Sequence, residues 1–333
     1  MNKLSLLVLD DREGLIGDSP GLVRLCDMAD VRVLAGSLDQ LTAQELAAVQ
    51  VLMPVRERTR LDREALSRLP ALELILQTGG HAYHLDAEYA DAKGIPVALM
   101  RRAYGPRAAV PELTFGLAIA ALRDIPHAHA SMTRGEWKSF TGRTLMGRTL
   151  GILGYGRHGR KVADIARAFG MQVVTWDRTS AAAPESDVER LELGALLGSS
   201  DVVSIHLKLS DESRGLLGKE QLQSMKPGSV LVNTSRGAII DERALIEALK
   251  AGPMATACLD VFADEPLSPE SPLRTLPNVV LTPHIGWTVA EVLTEFADIA
   301  ADQLRDYLAG ELDRDELLNS RVELASSATG GLA

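Results

Sequence analysis

The sequence predicts an α/β fold made of two doubly wound parallel-sheet domains, one inserted in the other. Three observations carry that expectation. Short apolar runs alternate with helical patterns over residues 4–99, and a second series of the same kind starts near residue 149. Such alternation predicts parallel strands with helices on both faces. The chain has 333 residues, about twice a typical domain. A glycine pattern, Gly154-x-Gly156-x-x-Gly159, falls at the first strand-to-helix turn of the second series.

In the first series, apolar runs at residues 4–9, 31–35, 51–54, 72–75 and 96–99 predict strands. Residues 42–49 and 86–93 carry the helical period between them, and Gly94 supplies a stop. Residues 110–125 form an apolar helical pattern, which Pro111 and Glu112 are expected to open because proline suits a first turn. This segment lies between the two series, so it is expected to carry the chain across the domain boundary. The second series begins with a strand at 150–153 and a helix at 159–169, with Val162, Ile165, Ala166 and Phe169 on one face and Gly170 as its stop. Strands follow at 171–176, 201–206, 229–233, 255–261 and 278–282. Asp241 is placed to cap a helix over 242–250, which Gly252 ends. The last long helical pattern, 289–312, is expected to return to the first domain, and residues 326–331 to form a mobile tail.

Composition narrows the function. A hydrophobic content of 46% leaves room for two cores. A net charge of -10 argues against nucleic acid as a partner, since phosphate contacts need a basic face. The two cysteines, Cys26 and Cys258, have no metal-like spacing and read as reduced thiols of a cytoplasmic protein. The N-terminal apolar run reaches Asp10 and Asp11, so it reads as a strand and not a leader. No stretch is apolar and long enough to span a bilayer, so no membrane partner is expected.

The glycine pattern has the strand and helix context of a dinucleotide fingerprint. Gly154 permits the tight turn, Gly156 lets a pyrophosphate approach the backbone, and Gly159 lets the helix pack on the strand. The helix start offers N–H groups and partial positive charge to the phosphates, and Arg157 and His158 add donors in the same loop. Asp177 ends the next strand, at the distance where an acid holds the adenosine ribose hydroxyls. A carboxylate there repels a 2′-phosphate, so NAD is expected over NADP, with Arg178 next to it softening that preference.

Three further strand ends carry polar residues that sheet packing does not require: Arg236, Glu265 and His284. Their surroundings are Val232-Asn233-Thr234-Ser235-Arg236-Gly237, then Leu259-Asp260-Val261-Phe262 with Glu265-Pro266-Leu267, then Thr282-Pro283-His284-Ile285-Gly286. These segments resemble the signatures of the D-isomer-specific 2-hydroxyacid dehydrogenase family, and the likeness covers nearly the whole chain. The resemblance implies a Rossmann dinucleotide-binding domain, residues 102–297, inserted in a flavodoxin-like substrate domain, residues 1–101 with 298–333. It implies Arg236 as the substrate anchor, His284 as acid/base and Glu265 as its partner. It places Asp260 near the nicotinamide, His206 and Thr234 along the cofactor, and Thr78, Gly79 and Gly80 in a substrate-binding loop. It further implies a closing cleft between the domains and a homodimer. The chain departs from the family pattern at His81, where a second glycine is common, and at Lys208, where proline is common.

The chemistry agrees with these roles. Reducing a 2-oxo acid puts a hydride on carbon and a proton on oxygen. Histidine exchanges protons near neutral pH, and an ionised Glu265 beside it favours the charged ring. The planar guanidinium of Arg236 matches the substrate carboxylate and stabilises charge on the carbonyl oxygen. Arg56 and Arg58 follow a first-domain strand and read as a charged surface turn, with a second anionic substrate group as the other option. The expected activity is therefore NAD-dependent hydride transfer to or from a small D-2-hydroxy acid. The alternatives are a phosphoglycerate-type dehydrogenase and a non-catalytic dinucleotide-sensing regulator.

Overall fold

The computed structural model describes residues 3–177, 188–319 and 322. Arg178 and the 326–331 tail lie outside the described residues. The chain divides into two units, Met1–Gly105 with Val289–Ala333, and Pro106–Thr288.

In the first unit, five strands form one parallel sheet: β1 (Leu4–Leu9), β2 (Ala29–Leu34), β3 (Val51–Pro54), β4 (Leu74–Gln77) and β5 (Val97–Leu99), in the order β2-β1-β3-β4-β5. This is the flavodoxin-like order. The central strands β3 and β4 are buried along their whole length, as strands covered on both faces must be. β4 starts later than the apolar run suggests. Leu72 closes a turn onto Leu69, and the ladder instead extends to the fully buried Gln77, whose amide bonds the carbonyls of Arg56 and Thr78. A helix at Pro20–Met28 has no counterpart in the periodicity reading. Its local signal is Ser19, which accepts from the Leu22 N–H, followed by Pro20 in the first turn. The long helix Ala290–Ala309 belongs to this unit and buries Leu293, Phe296, Ala300 and Leu304. Gly310, at φ 73°, ends it.

In the second unit, seven strands form a parallel sheet: β6 (Thr149–Leu153), β7 (Gln172–Trp176), β8 (Glu189–Arg190), β9 (Val202–Ile205), β10 (Val230–Asn233), β11 (Thr256–Leu259) and β12 (Val279–Leu281). Their order is β12-β11-β10-β9-β6-β7-β8. The chain reverses direction of travel across the sheet between β6 and β9. That is the switch point where a doubly wound sheet opens a crevice beyond its strand ends. Asp241 caps the helix Glu242–Ala251 by accepting from the Ala244 N–H. Two local expectations need correction. The crossover helix runs over Gly105–Leu122, so Pro111 lies inside it and not at its start. Proline there removes one backbone donor, and its ring is buried with Ala109, Phe115 and Ala118 of the same helix. Phe169 is 41% exposed. The helix Arg157–Ala168 ends just before it, so it leaves the helical period, and its ring lies 5.3 Å from the Phe115 ring. Among the described residues no helix is long and apolar enough to cross a membrane.

Candidate active site

The cofactor turn follows β6. Gly154 has φ 98°, and a Cβ there would lie 2.7 Å from the His206 carbonyl oxygen. Only glycine fits that left-handed, crowded position. A Cβ on Gly159 would meet the Gly154 carbonyl oxygen at 2.1 Å, so the helix Arg157–Ala168 packs directly on the turn. Beside Gly156, by contrast, a Cβ would meet no described atom within 4 Å. Close packing at the first and third glycines with space at the second is the arrangement a pyrophosphate needs.

The acid of the fingerprint joins this turn directly. Asp177 Oδ1 accepts from the Tyr155 N–H at 2.9 Å, so the carboxylate is fixed beside the glycines. The Arg160 guanidinium lies over the Tyr155 ring, 4.9 Å from its centroid. His158 Nδ1 is buried and has no hydrogen-bond partner among the described residues. Burial first, then Arg157 and Arg107, hold this imidazole below its ordinary pKa. A neutral ring with an unsatisfied buried nitrogen, beside the open space at Gly156, fits an oxygen-rich ligand such as a dinucleotide phosphate. His206 is also neutral. Burial pushes its pKa down to about 3, with His158 adding to the shift, and its Nε2 meets the Ser204 hydroxyl at 2.7 Å. The Thr234 hydroxyl is buried and faces Thr114 Oγ1 at 2.9 Å, so it is engaged inside the unit.

The catalytic candidates sit after β10, β11 and β12. Asn233, fully buried at the end of β10, shapes the first turn: its amide donates to the Arg236 carbonyl at 3.0 Å and its oxygen accepts from the Ser235 N–H at 3.0 Å. A Cβ on Gly237 would lie 1.9 Å from the Phe262 carbonyl carbon. The glycine after Arg236 thus lets the turn after β10 press against the turn after β11. There Glu265 Oε1 accepts from the Phe262 N–H at 2.9 Å, and its Oε2 lies 2.6 Å from His284 Nδ1. His284 has φ 56° and its side chain keeps 23% exposure. Left-handed backbone in a non-glycine residue is strained and persists only where surrounding contacts enforce it.

Asp260 supplies that enforcement. It is 1% exposed and accepts three hydrogen bonds: from Thr282 Oγ1 at 2.6 Å, the Ile285 N–H at 2.8 Å and the Gly286 N–H at 2.9 Å. These donors flank His284 on both sides. Burial nevertheless raises the Asp260 pKa against the pull of those bonds and of His284. Sequence reasoning assigned this acid to the nicotinamide. Its geometry makes it first the clamp of the histidine loop. Asn233 and Gly237 were not singled out, although a polar residue closing an apolar strand and a glycine directly after an arginine were both visible signals.

The first-unit loop contains a second correction. Arg56 is not a surface turn: it is 8% exposed, with φ 63°. Its N–H donates to Thr78 Oγ1 at 2.6 Å, and the same hydroxyl donates to the Pro54 carbonyl at 3.0 Å. Thr78 is fully buried, so its hydroxyl holds Arg56 and is not open to a ligand. A Cβ on Gly79, at φ 97°, would lie 2.0 Å from Arg56 Nη1. The tip of the guanidinium therefore takes the space a side chain at position 79 would fill, and the neighbouring Gly80 is exposed.

Comparison with known proteins follows the same lines. Residues 115–286 match the family described as D-isomer specific 2-hydroxyacid dehydrogenase, NAD binding domain. A glyoxylate reductase of Aeropyrum pernix is 39% identical over 274 residues, 79% of this chain and 81% of that protein. A D-3-phosphoglycerate dehydrogenase of Methanocaldococcus jannaschii is 38% identical over 291 residues, 86% of this chain and 55% of that protein. The chain thus spans about half the length of the curated phosphoglycerate dehydrogenases it matches. A solved structure described as a putative D-3-phosphoglycerate dehydrogenase oxidoreductase from Ralstonia solanacearum superposes with a TM-score of 0.86 at 36% identity, covering 95% of this chain and 97% of that one.

Proposed function

Because the chain belongs to the D-isomer specific 2-hydroxyacid dehydrogenase family, we propose that it transfers a hydride between NAD(H) and a small D-2-hydroxy acid or its 2-oxo counterpart. The observation that carries this reading is the 2.6 Å contact between His284 Nδ1 and Glu265 Oε2. An ionised carboxylate only accepts, so Nδ1 donates to Glu265 and Nε2 is the atom that exchanges a proton with the substrate oxygen. The dinucleotide supplies the hydride when bound. Arg236 takes the substrate carboxylate and meets the negative charge that develops on the oxo oxygen. The backbone N–H groups of Gly79 and Gly80 add donors to the carboxylate. The turn Gly154–Gly159, with Arg157 and His158, holds the pyrophosphate. Asp177 holds the ribose, and His206 lines the same turn through its backbone.

The test is a panel of glyoxylate, pyruvate, hydroxypyruvate and bulkier 2-oxo acids, followed at the nicotinamide absorbance. Turnover separates an enzyme from a dinucleotide-sensing regulator. NADH should outperform NADPH, and Asp177→Ala should narrow the gap about tenfold, since the carboxylate both accepts from the ribose hydroxyls and repels a 2′-phosphate. A parent enzyme that prefers NADPH rejects the role given to Asp177. Glu265→Gln should lower kcat by about tenfold to a hundredfold with NADH affinity kept. An unchanged kcat counts against the pairing.

Two further assignments accompany this reading. In the second unit Ile125, Met132, Trp137 and Met146 are exposed apolar side chains, which suits burial in a homodimer. Cys26 and Cys258 are free thiols, as in a protein of the reducing cytoplasm. The second substrate reading, phosphoglycerate-type oxidation, draws on the buried Arg56 beside Gly79.

A further inference from the structure

The turn after β3 carries three arginines within five residues, Arg56, Arg58 and Arg60. A site for a doubly anionic substrate would use such cations. In this chain each one faces a carboxylate. Arg58 holds Glu13 through two bonds, at 2.7 and 2.6 Å. Arg60 Nε lies 3.4 Å from Asp62. Arg56, the one packed against the Gly79 loop, has Glu57 Oε2 3.9 Å from its Nη2. The other oxygen of Glu57 lies 3.6 Å from His81 Nε2, and the His81 ring stacks edge-on against Tyr83, 5.0 Å between centroids. Glu57 and His81 therefore form a bridge from Arg56 to the outer end of the loop.

Arg101 lies on the Gly80 side, but its guanidinium donates to the carbonyls of Asp315 and Leu317. The ring nitrogens of His84 are buried, and burial lowers its pKa to about 4, with Arg56 adding to the shift and Glu57 and Asp10 working against it. It is neutral at neutral pH. Asp10 is 1% exposed, and its carboxylate is paired with Arg12 at 3.2 Å. Arg56 is the cation packed on Gly79, and Glu57 is the carboxylate that faces it.

We propose that Glu57, bridged to His81, is a specificity-determining residue that restricts the site to 2-oxo acids with one anionic group, the reacting carboxylate, and disfavours phosphorylated and dicarboxylic ones. The inference rests on the oxidoreductase reading above and refines its substrate class. A second anionic group brought to this loop meets a charge already balanced by Glu57. An uncharged or hydroxyl-bearing substituent finds acceptors in the carboxylate and a polar ring in His81. Like charges a few ångströms apart, in a partly buried setting, discriminate strongly between such substrates.

The experiment compares kcat/KM for hydroxypyruvate, 3-phosphonooxypyruvate and 2-oxoglutarate with NADH in the parent, Glu57→Gln and Glu57→Ser proteins. Glutamine keeps the shape and serine removes the side chain, so a folding defect in one leaves the other as the test. The parent should favour hydroxypyruvate over both substrates with a second anionic group by about a hundredfold or more. Each variant should shift the ratio of kcat/KM toward those two substrates by about tenfold relative to hydroxypyruvate. A parent that reduces 3-phosphonooxypyruvate as well as hydroxypyruvate overturns the proposal, as does an unchanged ratio in both variants. Absence of turnover with every oxo acid overturns the oxidoreductase reading itself, and this inference with it.

Discussion

His284→Ala is expected to lower oxo-acid reduction by roughly 10²–10⁴-fold, the range a positioned general acid contributes, while NADH still binds and quenches protein fluorescence as in the parent. The argument begins at the strand end. β12 delivers the chain to Thr282, and the His284 N–H turns back onto the Thr282 carbonyl at 3.1 Å. That tight return gives the residue its φ of 56° and fixes where the ring starts. Glu265 then fixes the ring through Nδ1 at 2.6 Å. Alanine keeps the loop and deletes the proton donor, so the loss should appear in kcat. His284→Gln gives a second readout: its amide can hydrogen-bond the substrate oxygen without supplying a proton, so KM should recover more than kcat. Full turnover in the alanine variant would remove His284 from the mechanism.

Much of the fold was legible because doubly wound sheets write themselves plainly in sequence. Strands buried on both faces read as unbroken apolar runs, and β1 and β3 begin and end where those runs do. The glycines of the cofactor turn were legible for a related reason. Two of them sit where any Cβ collides with backbone, and that demand leaves a fixed spacing. The pattern failed where tertiary contacts override local preference. Gln77 extends β4 because its amide NH₂ donates to two carbonyls that no local rule reveals. Pro111 sits within a helix because the surrounding apolar run supports both sides of it. Arg56 was misread for the same reason. A run of alternating charges in Val55–Arg60 looks like a solvated turn, and only the missing side chain at Gly79 makes room for a buried guanidinium. In the candidate set, the sequence reading paired His284 with Glu265, and the two side chains meet at 2.6 Å. The donors gathered by Asp260 were not readable, because they depend on which groups that carboxylate reaches in the folded loop.

Those donors lead to the second large effect. Asp260→Ala should reduce kcat about a hundredfold and lower stability on the order of 2–5 kcal/mol, although Asp260 makes no contact with the Nδ1 or Nε2 proton. The substitution leaves the N–H groups of Ile285 and Gly286 without the acceptor they share, and frees Thr282 Oγ1. An orphaned buried N–H costs about 1–3 kcal/mol, so the loop should rearrange to recover partners. A left-handed His284 is among the first features to relax, since strain of that kind persists only under enforcement. Glu265 then loses its aligned partner even though it is unaltered. Asp260→Asn separates geometry from charge. An amide has one accepting oxygen, so it can satisfy part of the loop but must turn its NH₂ toward another donor. It should therefore fall between the parent and the alanine variant in both kcat and Tm. Thr282→Val removes a single bond and should cost less than either. If Asp260 served the nicotinamide alone, the alanine variant would lose NADH affinity and keep its Tm. A large fall in Tm and kcat at near-parental NADH affinity identifies it as the residue that positions His284. An alanine variant with parental kcat and Tm would reject the clamp, whatever its NADH affinity.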